Sequence, residues 1–153
     1  MIESYKQSVE EFKRIDHLFY VTLKYTRTVD VIRSTIERFI SMYEAGIDAI
    51  LKVMKDKKKI EDFPNNPVGK AELLKESCDA EILPNIERYL MFRKMMRLEY
   101  GKREEYRRHV TMIVQYEGQT LNVDIDLLQE YYDEARKFLT HVKQHVQEYR
   151  EDD

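Results

Sequence analysis

The chain has 153 residues, 26 Lys or Arg against 29 Asp or Glu, and one cysteine, with 42% hydrophobic and 36% charged residues. That length suits one domain with a real core. The composition excludes a disordered chain and a disulfide scaffold, and four Gly and three Pro argue against a turn-rich all-β fold. A net charge of −3 excludes global attraction to nucleic acid, so any such binding must use a local basic patch.

Lys, Arg and Glu dominate the charge, a composition shared with thermophilic proteins. Cys78, in the charged stretch KESCDAE, has no partner for an intrachain disulfide and reads as incidental, so a reducing cytoplasm is the expected location. The first residues, MIESYKQSVEEFKR, resemble neither a signal nor a transit peptide. No apolar run approaches the roughly 20 residues of a membrane span, and no membrane partner is expected.

Apolar residues at Ile2, Tyr5, Val9, Phe12, Ile15, Phe19 and Leu23 step by three and four and predict a first helix to about residue 25. The β-branched and aromatic stretch Phe19–Ile32 is also compatible with a strand; the preferred reading is helix, a break near Thr26–Thr28, and a second helix capped by Thr28. That helix, from about Val29 to Lys55, carries the stripe Ile32, Ile36, Phe39, Tyr43, Ile47, Ile50 and Met54. Gly46 inside it predicts close approach of another helix, and the two helices should form an antiparallel hairpin. Residues 55–69 form the main loop, whose lysines 57–59 read as a solvated linker. Asn66 and Pro67 suit the N-cap and first position of a short helix over Val68–Ser77.

The stretch Ile82–His109 reads as one long helix, with Pro84 in its first turn and apolar residues on nearly every side. A helix of that kind must be covered on more than one side, so a homodimer is expected, with part of this helix or the hairpin that follows it at the interface. After His109 the period changes to two. Pairing Val114 with Leu121, Met112 with Val123 and Val110 with Ile125 about a Glu117–Gly118 turn puts every apolar side chain on one face of a β-hairpin. The same register sets His109 opposite Asp126. A last amphipathic helix runs from Asp126 to about Tyr149, and the charged tail Glu148–Asp153 should fray. The expected architecture is an all-α antiparallel bundle of four or five helices, one helical domain over 1–153, with one β-hairpin before the last helix.

From Arg88 to His109 there are eight Arg or Lys against three Glu, a local net of +5. Tyr89, Arg93, Arg97 and Tyr100 share a helical face, and guanidinium groups beside aromatic rings suit phosphate contact with base stacking. Tyr89, Arg93, Lys94, Arg97, Lys102, Arg107 and Arg108 are therefore the candidate nucleic-acid contacts. The alternative is that these arginines cover apolar surface and pair with Glu on a neighbouring helix.

The fragment REEYRRH holds an Arg, five residues and a His. With the N-terminal helical hairpin and the final helix LLQEYYDEARKFLTHV, it resembles the HEPN superfamily. These are small helical domains on a four-helix bundle, whose active members carry Arg, four to six residues, then His, and cleave RNA without a metal at a dimer cleft. The resemblance implies Arg103 and His109 as catalytic residues. His109 would move a proton at the ribose 2′-hydroxyl or the leaving oxygen, and Arg103 would stabilise phosphoryl charge. Arg136, four residues and His141 satisfy the same pattern on the last helix. On one continuous helix, side chains six residues apart point roughly 120° apart, so Arg103 and His109 converge only if the helix ends or two subunits contribute.

His141 and His145, with Glu148, lie on adjacent turns, but a zinc site needs more ligands, and they read as a surface face. No Gly-rich phosphate loop exists, which argues against a Rossmann or P-loop enzyme. The functional expectation is an RNA- or nucleotide-binding HEPN-like domain without cofactor or metal, extending to endoribonuclease activity. The alternative is a non-catalytic helical oligomerisation or adaptor module.

Overall fold

The computed structural model describes residues 1–77 and 79–151, with the side chains of Arg150 and Glu151 left aside; Cys78 and the last two residues of the tail lie outside the described residues. Five helices and a three-stranded antiparallel sheet make up the described chain. Helix α1 (Ile2–His17) runs on through a π-helical turn, Leu18–Thr22, and a last turn, Leu23–Tyr25. It is followed by α2 (Val29–Asp56), α3 (Pro67–Ser77) and α4 (Leu83–Met95). Strands β1 (Tyr100–Arg103), β2 (Thr111–Tyr116) and β3 (Gln119–Val123) precede α5 (Ile125–Glu151). Among the described residues no helix is long and apolar enough to cross a membrane.

The helical boundaries follow local chemistry. Thr28 is extended and its hydroxyl accepts from the Val31 amide, starting α2 after the break. Asn66 Oδ1 accepts from the Gly69 amide at 2.6 Å, and Pro67 opens α3, where its missing N–H costs nothing. Cross-links between α1 and α2 run in opposite order, Ser4 to Asp48, Ser8 to the Met42 carbonyl and Glu11 to Arg38, which fixes an antiparallel hairpin. Helix α5 lies against both, with the Tyr132 hydroxyl donating to Asp16 at 2.6 Å. Gly46 is the point where Phe138 and Val142 of α5 press on α2.

The structure corrects the long central helix. It stops at Met95 through two three-residue turns, Arg97 N to Lys94 O and Leu98 N to Met95 O. The chain then extends into β1, where Tyr100 pairs with Val114 and Arg103 with Thr111. A two-stranded hairpin is marginal in water, and β1 supplies a third strand along the edge of β2. The fold is therefore mostly helical but not all-α, and the single hairpin is a three-stranded sheet. The hairpin itself has the expected register at Met112 with Val123 and Val114 with Leu121, but the third expected pair, Val110 with Ile125, does not form, because Ile125 opens α5. Its turn residues, Glu117 and Gly118, both have positive φ, 50° and 79°, as a two-residue hairpin turn requires.

Shortened to Met95, α4 finds its cover inside the chain. Ile86, Tyr89, Phe92 and Met95 are fully buried. Phe92 stacks on Phe39 of α2 at 5.6 Å and meets Tyr131 of α5 edge-on at 4.9 Å. The side of α4 that carries Ile86, Tyr89, Phe92 and Met95 is thus covered within one chain.

One polar tie in this bundle is open to a direct test. Asp48 on α2 accepts from Lys52, Ser4 and Lys70. Burial raises its affinity for a proton, but these hydrogen bonds outweigh burial and hold its pKa at about 2, below the ordinary 3.8. A carboxyl depressed on folding stabilises above its unfolded pKa and loses that contribution as pH falls through the folded value. Between pH 5 and pH 2 the native protein is expected to lose about 2 kcal/mol more than Asp48→Asn, read from urea unfolding at both pH values. Equal losses would place Asp48 outside the network.

Candidate nucleic-acid interface

The basic residues of segment 88–109 divide into two groups, by the element that carries them. On α4 they are engaged. Arg88 makes two hydrogen bonds to the Glu134 carboxylate, at 2.9 and 3.1 Å, and lies over the Tyr131 ring. Arg93 reaches Glu44 of α2 at 2.8 Å and donates to the Tyr89 hydroxyl at 3.5 Å, while its Nε is buried without a partner. Tyr89 is itself fully buried. Burial, and then the Glu44 carboxylate, push its hydroxyl well above the usual tyrosine range. Its ring is packed near Tyr43 and offers no face to a base. Lys94 pairs with Glu117 of the hairpin turn at 3.1 Å and sits beside the Tyr116 ring. The structure therefore separates Tyr89 and Arg93 from any stacking surface.

Beyond α4 the picture reverses. Arg97, Arg103, Arg107, Arg108 and His109 are all exposed, and among the described residues none has a side-chain hydrogen bond or ion pair. Lys102 is held loosely, 3.7 Å from Asp30 and 3.6 Å from Glu105. Arg103 and His109 sit on neither side of a helix. Arg103 ends β1 opposite Thr111, and His109 closes the following loop two residues before it. The end of the helix before both residues removes the 120° obstacle, while Arg103 does not line the pocket that His109 lines.

The loop between β1 and β2 is a built element. Glu104 and Tyr106 both adopt left-handed backbone, φ 53° and 65°, a conformation that costs non-glycine residues of order 1 kcal/mol each. Long-range contacts offset that strain. Glu105 Oε2 accepts from the Val29 amide at 3.0 Å, capping the N-terminus of α2 alongside Thr28. The Tyr106 amide donates to the Arg27 carbonyl at 2.6 Å. Pinned by its backbone, the loop turns the Tyr106 ring outward, 77% exposed, and Tyr25, two residues before Arg27, is 80% exposed.

Tyr106, Tyr25 and Arg27 are the residues that sequence reasoning missed. The available signal was a tyrosine set among charges in EEYRR and another at the helix break in KYTRT, where neither falls on an apolar stripe. Arg27 Nε is buried without a partner. Arg27 lines a pocket of about 280 Å3 with Arg108, His109, Asp124, Ile125 and Asp126. His109 and Asp126 both line this pocket, but the expected pairing across the hairpin does not form, because the ladder ends at Met112 and Val123 and Asp126 lies in α5. Far along the bundle, His145 Nδ1 lies 2.8 Å from the His141 carbonyl and His141 lies 3.6 Å from Glu81. Among the described residues no three His, Cys, Asp or Glu side chains gather as a metal site.

The Glu105 cap ties loop order to helix stability. Glu105→Gln is expected to cost about 1 kcal/mol, since it removes a carboxylate from the first turn of α2. It should also speed hydrogen exchange at the Tyr106 amide. Unchanged exchange there would mean that the loop holds its shape without this contact.

No family model, curated protein or solved structure matches the chain.

Proposed function

We propose that the protein binds single-stranded RNA through the sheet end of the bundle. The interface comprises Arg97, Arg103, Arg107 and Arg108, with Tyr106 and Tyr25 as stacking platforms. The observation that carries this reading is the coincidence of unpaired guanidinium groups with two strongly exposed tyrosines, Tyr106 on the strained, anchored loop and Tyr25 beside the Arg27 segment that anchors it. Unpaired arginines contact phosphates without first breaking an internal ion pair, and exposed rings stack unpaired bases, each worth roughly 1–3 kcal/mol. Duplex RNA hides its base faces, so single strands should bind more tightly. Neutralising about four phosphates predicts a slope of about −3 for log affinity against log salt. Titration of a ten-nucleotide oligouridylate between 50 and 200 mM salt measures it. A slope near zero, or equal affinity for a duplex, would refute the reading.

The HEPN-like extension of this reading, RNA cleavage by Arg103 and His109, is favoured by one observation: both side chains are exposed and unengaged beside the same loop. In that extension His109→Ala abolishes cleavage of the bound strand while leaving its affinity within about twofold. Cleavage that survives the substitution would end it. The adaptor alternative, with every arginine committed to an internal pair, suits the α4 residues but not those of β1 and its loop.

A further inference from the structure

The pocket beside the loop has an unusual charge economy. Arg27 and Arg108 stand on its lining with Asp124 and Asp126, yet no ion pair joins either arginine to either aspartate. Asp124 Oδ1 accepts from the Leu127 amide at 2.9 Å, which orients that carboxylate as the cap of α5. Asp126 is exposed and has no partner among the described residues. Donors and acceptors thus face a common space of about 280 Å3 without satisfying one another.

A simple anion would meet two carboxylates there, and a cation would meet two guanidinium groups. The ligand that fits must present hydrogen-bond donors on one edge and acceptors on another. Guanine does so in one ring: N1–H and N2–H2 form a donor pair for a carboxylate, and O6 and N7 an acceptor pair for a guanidinium. Adenine, cytosine and uracil lack one or both pairs. The volume lies just under the roughly 300–1,000 Å3 of drug-sized sites and suits a base, with the sugar and phosphate outside. Ile125 supplies apolar surface against the ring.

From opposite charges that share this pocket unpaired, we infer that it binds the guanine base of an RNA strand, Asp126 accepting from the N1–N2 edge and Arg27 or Arg108 donating to O6 and N7. The inference rests on the RNA reading above and gives that surface a base preference. In that arrangement Arg108 marks the junction between the phosphate-binding loop and the base pocket, and His109 borders both.

Calorimetric titration with GMP, AMP, CMP, UMP and IMP tests it. GMP is expected to bind at least about tenfold more tightly than the other four, IMP losing affinity because it lacks the 2-amino group. Asp126→Asn should bring GMP down to the level of IMP, and its circular dichroism and melting temperature show whether the fold is kept. Equal binding of GMP and IMP by the native protein overturns the inference without recourse to any variant. Absence of GMP binding, or an undiminished GMP preference in folded Asp126→Asn, overturns it as well. Oligouridylate, which has no guanine, is titrated in parallel. Its binding together with indifference among nucleotides sinks the guanine pocket alone, whereas its failure to bind sinks the strand-binding reading whatever GMP does.

Discussion

Gly46→Leu is expected to destabilise the protein by about 3 kcal/mol and to lower its melting temperature by roughly 10 °C. A Cβ at position 46 would lie 2.6 Å from Phe138 Cε2 and 3.2 Å from Val142 Cγ2. The Phe138 ring cannot retreat, because it is fully buried and packed on Tyr43 at 4.9 Å. The helices would have to part. Gly46→Ala separates the two opposing effects: alanine gains about 1 kcal/mol of helix propensity over glycine, and the clash exceeds it, so a net loss of about 1 kcal/mol is expected. Urea and thermal unfolding of both variants measure the series. A leucine variant as stable as the native protein would mean that α2 and α5 do not meet at this point.

The second large effect concerns binding. Replacing Arg97, Arg103, Arg107 and Arg108 by glutamine is expected to weaken single-stranded RNA binding by at least ~100-fold, since each lost charge-assisted contact is worth about 1.5 kcal/mol or more. The fold should survive, because these side chains are exposed and make no internal hydrogen bond or ion pair. The salt dependence should flatten with the affinity. Lys94→Gln, on the neighbouring helix, is expected to change affinity by less than about twofold, because that ammonium group stands between Glu117 and the Tyr116 ring.

How far the sequence alone reached depended on whether the deciding interactions were local. Caps such as Thr28 and Asn66, the stripe from Ile32 to Met54 and the Val114–Leu121 register all lie in short windows, and each was legible. Strand β1 was not. Its four residues are all exposed, so it has no alternation to read, and it is extended because the edge of β2 is there to pair with it. A helix-forming stretch gave way to a tertiary partner. The division of the arginines was equally hidden. Glu44 and Glu134 lie 49 and 46 residues from the α4 arginines they hold, and no spacing rule connects them. Tyr106 depends on a carbonyl at Arg27 and a cap at Val29, 76 residues from Glu105. The basic segment was visible as a segment; which part of it faces solvent was settled by the fold around it.

The proposed RNA binding requires positive charge at the sheet end of the bundle to be available to a strand. Fluorescence anisotropy with a labelled single-stranded RNA decides this most directly, comparing the native protein with a Tyr106→Ala, Arg107→Gln, Arg108→Gln variant of matched melting temperature. A loss of at least ~100-fold in affinity is expected. Equal affinities for the two proteins would contradict it.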